Sequence, residues 1–173
     1  MVRAYLLSLL VRQRLALKDQ FPKRYPHPWL VWEPGIWHVP PSARAQSNSA
    51  TRLPLSQGPD QPAQGDALCF ELAPPSNKPH WEVGRQPAND IVINDSTVSR
   101  RHLLLHRNSS GDWSMTVNPQ ATLTLYAGNE LSPGTEVQLR TGEAFKAGNV
   151  RLTFYDTEGL LKRLEAEAQR LGR

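Results

Sequence analysis

The chain has 173 residues and a mass of 19.4 kDa, which suits one ordinary domain with extensions and is too small for two full domains. Twenty basic and sixteen acidic residues give a net charge of +4. The single cysteine excludes an internal disulfide framework and a cysteine-rich zinc site, and it suits a reducing compartment such as the cytoplasm. No apolar run reaches the roughly 18 residues that a membrane-spanning helix needs.

Proline positions and charge divide the chain into four pieces. Nine of the fifteen prolines lie between Pro22 and Pro62. We predict an N-terminal basic helix over 1–21, an irregular Pro- and Trp-rich segment and linker over 22–63, a β-sandwich over 64–156, and an amphipathic helix over 157–173. Residues 1–26 carry six basic side chains and one acidic one, whereas 64–156 carry eight and ten. This distribution argues against nucleic-acid binding by the main domain.

The N-terminal half contains an unusual cluster of aromatic residues. Trp29, Trp32 and Trp37 lie within nine residues, and aromatics of this size are costly to leave in water. We expect them to fold onto the β domain, with docking on a partner as the alternative.

Between residues 64 and 156, short apolar runs alternate with turn residues at the spacing of a sandwich. No part of this stretch has helical periodicity, so we predict an all-β fold. The predicted strands are 67–72, 80–83, 91–93, 103–107, 113–117, 123–126, 137–139, 144–146 and 150–155.

The C-terminal piece has a helical pattern. Leu160, Leu164, Ala168 and Leu171 form one apolar stripe, and Asp156 or Thr157 can cap the helix. We expect this helix to pack on the sandwich or on the N-terminal helix, with pairing to another chain as the alternative.

Three short motifs lie within the predicted sandwich. Gly84-Arg85 is followed by Asn89-Asp90-Ile91 and then by Val98-Ser99-Arg100-Arg101-His102. In this order and at these separations, they resemble the signature of the forkhead-associated (FHA) domain family: Gly-Arg, Asn-Asp-Ile and Val-Ser-Arg-x-His. The resemblance extends to about residue 156 and says nothing about residues 1–63. It implies a β-sandwich whose loops, at one end, bind a phosphothreonine in a partner protein.

The chemistry of these residues suits a phosphate dianion, which needs a guanidinium together with hydroxyl or amide donors. Arg85 presents a fixed fork of N–H donors, and Ser99 offers a hydroxyl and a backbone N–H. The resemblance implies two sets of site residues. The residues implied to bind phosphothreonine are Arg85, Ser99, Arg100 and Thr122. Those implied to hold the loops in place are Gly84, Asn89, Asp90 and His102. Considered alone, Arg85 could instead pair with Asp90, and Ser99 could merely cap a turn.

The chain departs from the family in a later loop. The family usually has Ser-x-Asn-Gly-Thr, an apolar residue and Asn-Gly, whereas this chain reads Asn118-Pro119-Gln120-Ala121-Thr122-Leu123. Thr122 can supply the hydroxyl that contacts phosphate, but Leu123 matches the family Asn that binds the ligand's main chain. Losing one such hydrogen bond costs about 1–3 kcal/mol, or about 5- to 150-fold in affinity. We expect phosphothreonine binding to survive with a weakened or altered sequence preference.

The motifs favour an adaptor that reads a phosphothreonine placed by a Ser/Thr protein kinase. We expect no enzymatic activity, cofactor or metal, because no nucleophile elbow, phosphate-cradling glycine loop or metal-ligand cluster is present. The alternative is a phosphate-independent protein-assembly domain with a partly degenerate phosphopeptide site. A third possibility is contact of residues 1–26 with a membrane surface or nucleic acid.

Overall fold

Two β-sheets and a layer of helices make up the part of the chain that the structure describes. The computed structural model describes residues 2–35, 65–74 and 78–172. The strands within these ranges are β1 (Ala4–Leu6), β2 (Trp29–Trp32), β3 (Leu68–Glu71), β4 (His80–Gly84), β5 (Ile91–Val92), β6 (Leu103–Arg107), β7 (Trp113–Val117), β8 (Thr124–Tyr126), β9 (Asn129–Glu130), β10 (Glu136–Leu139), β11 (Ala144–Ala147) and β12 (Val150–Tyr155). The helices are α1 (Leu7–Leu17), α2 (Phe21–Arg24) and α3 (Thr157–Leu171), and a 3-10 turn at Lys18–Gln20 joins the first two.

The strands form a sandwich of two sheets. Seven strands make the first sheet, in the order β1-β3-β2-β12-β11-β8-β9, and five make the second, in the order β10-β7-β6-β4-β5. Neighbouring strands are antiparallel except for β4 and β5, which run parallel with Val83 opposite Ile91. The predicted all-β sandwich with a helical N-terminal extension and a C-terminal helix is confirmed.

Two apolar cores lie on opposite faces of the seven-stranded sheet. One core lies between the sheets, and the other lies between the seven-stranded sheet and the helices. In β2, Leu30 and Trp32 belong to the inter-sheet core, whereas Trp29 and Val31 belong to the helix-covered core. All four residues are buried because both faces of β2 are covered. The strand therefore does not alternate between apolar and polar residues.

The sandwich extends beyond the predicted limits of 64–156, and the assignment of 1–21 and 22–63 is wrong at three places. Helix α2 (Phe21–Arg24) continues past residue 21 into the segment that was expected to be irregular. Ala4–Leu6 was expected to be helical but forms β1, because Ala4 pairs with Phe70 and packs into the inter-sheet core. Trp29–Trp32 was expected to be irregular but lies between β3 and β12. The prolines around it flank the strand, where they remove no ladder hydrogen bond. Trp29 and Trp32 therefore fold into the domain as expected, while Trp37 lies outside the described residues.

Helix α3 packs on the first sheet and on α1. The Asp156 side chain caps it by accepting the Gly159 N–H at 2.7 Å. Leu160 and Leu164 are buried in the helix-covered core, which confirms the expected packing. Leu171, predicted to continue the apolar stripe, is 63% exposed because nothing in the described residues covers the last turn. None of the helices in the described ranges is both long and apolar enough to cross a bilayer.

Candidate functional site

Four loops meet at one end of the sandwich, and every residue predicted to bind phosphate lies in them. They are the β4–β5 loop (85–90), the β5–β6 loop (93–102), the β7–β8 loop (118–123) and the β11–β12 turn (148–149). Backbone hydrogen bonds connect them. The Arg85 N–H donates to Ser99 O at 2.9 Å, and the Gly148 N–H donates to Leu123 O at 2.8 Å.

Gly84 allows the first two loops to approach each other. A Cβ at this position would lie 2.4 Å from Arg100 O and 2.9 Å from Asn89 Nδ2, so any larger residue would displace one of them. Asn89 is buried here, and its Nδ2 donates to Gln86 O at 2.8 Å and to Arg100 O at 2.7 Å. The β4–β5 loop is thereby held against the backbone that follows Ser99.

Within the described part of the chain, one nitrogen of the Arg85 guanidinium is anchored. Its Nε donates to Val98 O at 3.1 Å, and this carbonyl immediately precedes the Ser99 nitrogen. Its Nη1 and Nη2 make no hydrogen bond to any residue in the described part of the chain. Asp90, the alternative partner, instead pairs with Lys78 at 2.7 Å and accepts the Glu82 N–H at 2.8 Å. As far as the described residues go, Arg85 is therefore held through Nε, and both of its terminal nitrogens are available to an anion.

The hydroxyls of Ser99 and Thr122 lie side by side at the surface. Ser99 Oγ accepts the Thr122 N–H at 2.7 Å and donates to Thr122 Oγ1 at 3.1 Å. Thr122 Oγ1 in turn donates to Thr97 O at 3.1 Å. The Ser99 hydroxyl proton can rotate towards an incoming anion without losing the N–H that its oxygen accepts.

His102 lies beneath these two hydroxyls and is fully buried. Its Nδ1 accepts the Ser99 N–H at 3.1 Å, so the ring proton is on Nε2, which lies 2.8 Å from Thr124 Oγ1. Burial lowers the pKa of this imidazole from 6.5 to about 4. Of the two donors that the sequence offered at Ser99, the backbone N–H donates to His102. The Ser99 hydroxyl is the donor that remains at the surface.

Arg100 and Arg101 contribute positive charge next to this cluster. Both side chains are exposed, and neither makes a salt bridge within the described residues. The carbonyl of Arg100, by contrast, is fixed by Asn89 and by the Gln86 N–H at 3.1 Å. Among the residues that the structure describes, no three His, Cys, Asp or Glu side chains are grouped so as to hold a metal ion.

Sequence reasoning missed a supporting contact between Thr97 and the β11–β12 turn. Thr97 Oγ1 donates to Asp95 Oδ1 at 2.6 Å and accepts the Asn149 N–H at 2.9 Å. Gly148 has φ +59°, and a Cβ there would lie 2.2 Å from Thr97 O. The Asp-x-Thr turn and the Gly-Asn turn are each visible in the sequence as local features, but nothing local shows that they touch.

A family model described as the inner membrane component of T3SS, cytoplasmic domain, matches residues 70–158, just over half of the chain. The chain therefore belongs to this family, whose domain is of the FHA type. The family membership indicated by the three sequence motifs is confirmed.

Individual proteins also resemble this chain. The oxoglutarate dehydrogenase inhibitor of Corynebacterium efficiens is 29% identical over 116 residues, covering 63% of this chain and 79% of that protein. The FHA domain of an Arabidopsis thaliana hypothetical protein is 32% identical, with a TM-score of 0.44 and coverage of 54% and 75%. The N-terminal FHA domain of S. cerevisiae RAD53P, solved with a phosphothreonine peptide, is 19% identical, with a TM-score of 0.42 and coverage of 49% and 73%.

Proposed function

We propose that this protein is an adaptor that binds a phosphothreonine in a partner protein phosphorylated by a Ser/Thr protein kinase. The observation that carries the proposal is the arrangement around Arg85. Its guanidinium is anchored on the carbonyl before Ser99, and neither Nη atom bonds to a residue that the structure describes. The Ser99 and Thr122 hydroxyls lie 3.1 Å apart on the adjoining loops. These groups match the donors that a phosphate dianion requires.

Each phosphate-binding residue has a distinct part in this proposal. Arg85 supplies a two-pronged, charge-assisted contact, and Ser99 donates its hydroxyl. Thr122 holds the Ser99 oxygen through its own N–H and adds a second hydroxyl. Arg100 raises the local positive potential. Because residues 64–156 carry more acidic than basic side chains, the attraction for phosphate is local to this end of the sandwich.

The hydrogen bonds of His102 favour a binding function over catalysis. A serine beside a histidine could suggest a nucleophile and its base. Here, however, both ring nitrogens are already engaged, one by the Ser99 N–H and the other by the Thr124 hydroxyl. The imidazole therefore has no free nitrogen for the Ser99 hydroxyl proton, and we propose a non-enzymatic role. We also propose a cytoplasmic location, because the single cysteine suits a reducing compartment.

Titration of the full chain with phosphothreonine peptides and their unphosphorylated counterparts tests the proposal. We expect binding only to the phosphorylated forms. Arg85→Ala should weaken it about 10- to 150-fold, because a charge-assisted contact of about 1.5–3 kcal/mol is lost. Arg101→Ala is the matched control, since it removes a neighbouring exposed guanidinium, and it should change affinity less than about threefold.

Two results would overturn the proposal. One is the absence of binding to any phosphorylated peptide, and the other is binding that Arg85→Ala or dephosphorylation leaves unchanged. Partner binding that survives phosphatase treatment would instead support the phosphate-independent assembly domain.

A further inference from the structure

Leu123 is a large apolar side chain exposed at the edge of the candidate site. It is 44% exposed. The other large apolar side chains exposed within the described residues are Leu9 and Leu15 on α1 and Leu171 on α3, so Leu123 alone lies in the converging loops. It directly follows Thr122, whose hydroxyl contacts that of Ser99.

The chain segment around Leu123 is held at three points. The Thr122 N–H donates to Ser99 Oγ at 2.7 Å, and Leu123 O accepts the Gly148 N–H at 2.8 Å. Thr124 is fully buried, with its Oγ1 2.8 Å from His102 Nε2. Burying Leu123 by moving the loop would break these contacts, so the side chain stays exposed on a rigid support in the unbound protein.

We infer that Leu123 determines specificity by contacting an apolar side chain of the bound peptide, within three residues of the phosphothreonine. This inference rests on the proposed phosphothreonine site. Adjacent Cα atoms are about 3.8 Å apart, and an extended peptide advances about 3.3 Å per residue. A peptide whose phosphate lies at Ser99 and Thr122 therefore brings its neighbouring residues past Leu123.

Leu123 selects by a different physical mechanism from that of an amide side chain. The leucine side chain has no donor or acceptor with which to hold the main chain of a peptide. A polar ligand side chain placed against it would lose water without gaining a hydrogen bond, whereas an apolar one would bury both surfaces. Because nearly half of the leucine is available for burial, the preference should be about 3- to 10-fold.

The test uses the full chain and a degenerate library of phosphothreonine peptides. Single peptides derived from the best pool then carry Leu, Ser or Asp at each of the three positions on either side of the phosphothreonine. Calorimetric titration should show a preference for Leu at one or more of these positions. Leu123→Asn should abolish that preference while leaving phosphate dependence intact. Leu15→Asn, the same change at an exposed leucine away from the site, should leave the preference unchanged.

The outcomes separate this inference from the proposed function. If phosphorylated peptides bind but Leu123→Asn retains the wild-type preference, the inference is overturned and the phosphothreonine site stands. A wild-type protein that shows no preference for Leu at any of these positions overturns it equally. If no phosphorylated peptide binds, the proposed function itself fails, and the inference fails with it. Thermal unfolding of both variants verifies that each is folded.

Discussion

His102 lies under the candidate site with hydrogen bonds at both ring nitrogens. The neutral ring can accept the Ser99 N–H, but a protonated ring would place an Nδ1–H against that N–H. Protonation would therefore break the hydrogen bond that holds the Ser99 backbone on the His102 ring. A side chain that touches no ligand in the proposal thus determines whether the phosphate-binding hydroxyl is correctly placed.

We expect His102 to make the folded protein sensitive to acid. Its pKa is lowered to about 4 by burial, while an unfolded chain takes up the proton near 6.5. The free energy of unfolding should therefore be unaffected by this group above pH 6.5. It should fall by about 3 kcal/mol in total as the pH drops from 6.5 to 4. Urea unfolding at several pH values between 7 and 4 measures this loss.

His102→Gln is the control for that experiment, because glutamine cannot titrate in this range. All other titratable groups are shared, so the difference between the two pH profiles isolates His102. A variant whose free energy of unfolding falls as steeply with acid as that of the wild type would contradict the assignment.

At the scale of elements, an ion pair joins α3 to the end of β2. Arg163 makes a two-pronged contact with Glu33, with Nη2 2.8 Å from Oε2, and it also donates to the Tyr155 hydroxyl at 2.9 Å. The side chains of Arg163 and Glu33 are only 18% and 12% exposed. Glu33 also accepts the Thr153 hydroxyl at 3.0 Å, so the pair connects the helix to two central strands.

Arg163→Met should destabilise the protein by about 3–5 kcal/mol, because it leaves the largely buried Glu33 carboxylate without its cation. Lys162→Met is the matched control. Lys162 pairs with Glu158 at 3.2 Å, but both side chains are more than 70% exposed, so the loss should stay within about 0.5 kcal/mol. Equilibrium denaturation of both variants measures the loss in the free energy of unfolding for each. Equal stability losses would show that the Glu33 pair contributes no more than an exposed one.

At the scale of the whole molecule, the N-terminal elements complete the sandwich. Strand β2 lies between β3 and β12, and helix α1 covers Leu160 and Leu164 of α3 together with Cys69 of β3. The seven-stranded sheet is therefore complete, and its helix-covered face fully covered, only when the N-terminal strands and α1 are present. The part of the chain outside the family match is needed for the core of the part within it.

A fragment containing residues 64–173 should fail to fold cooperatively. Without β2, strands β3 and β12 lose the strand that lies between them. Apolar residues on both faces of the seven-stranded sheet then become exposed to water. We expect the fragment to aggregate or to lack near-UV circular dichroism and a sharp thermal transition. The full chain should show both. Addition of a peptide with residues 1–35 should restore them in part. Cooperative unfolding of the fragment near the midpoint of the full chain would refute this expectation.

Local chemistry made much of this protein predictable from its sequence. The runs at Leu103–Arg107, Trp113–Val117 and Val150–Tyr155 are strands as predicted, because their apolar residues and flanking turns specify extended backbone locally. The cap at Asp156 likewise depends only on neighbouring residues. The spacing of Arg85, Ser99 and His102 identified the family, since each motif is contained within a few adjacent positions.

The tertiary structure alone decided the partners of those residues. Ser99 and Thr122 are 23 positions apart, and Thr97 and Asn149 are 52 apart. Neither hydrogen bond can therefore be predicted from the residues adjacent to its donor or acceptor. The central place of Trp29–Trp32 depends on β3 and β12, which follow much later in the chain. The periodicity of a sequence shows which faces of a segment are apolar. It does not show which strand pairs with which, or which acceptor a given N–H or O–H donates to, because both depend on segments that lie far apart in the chain.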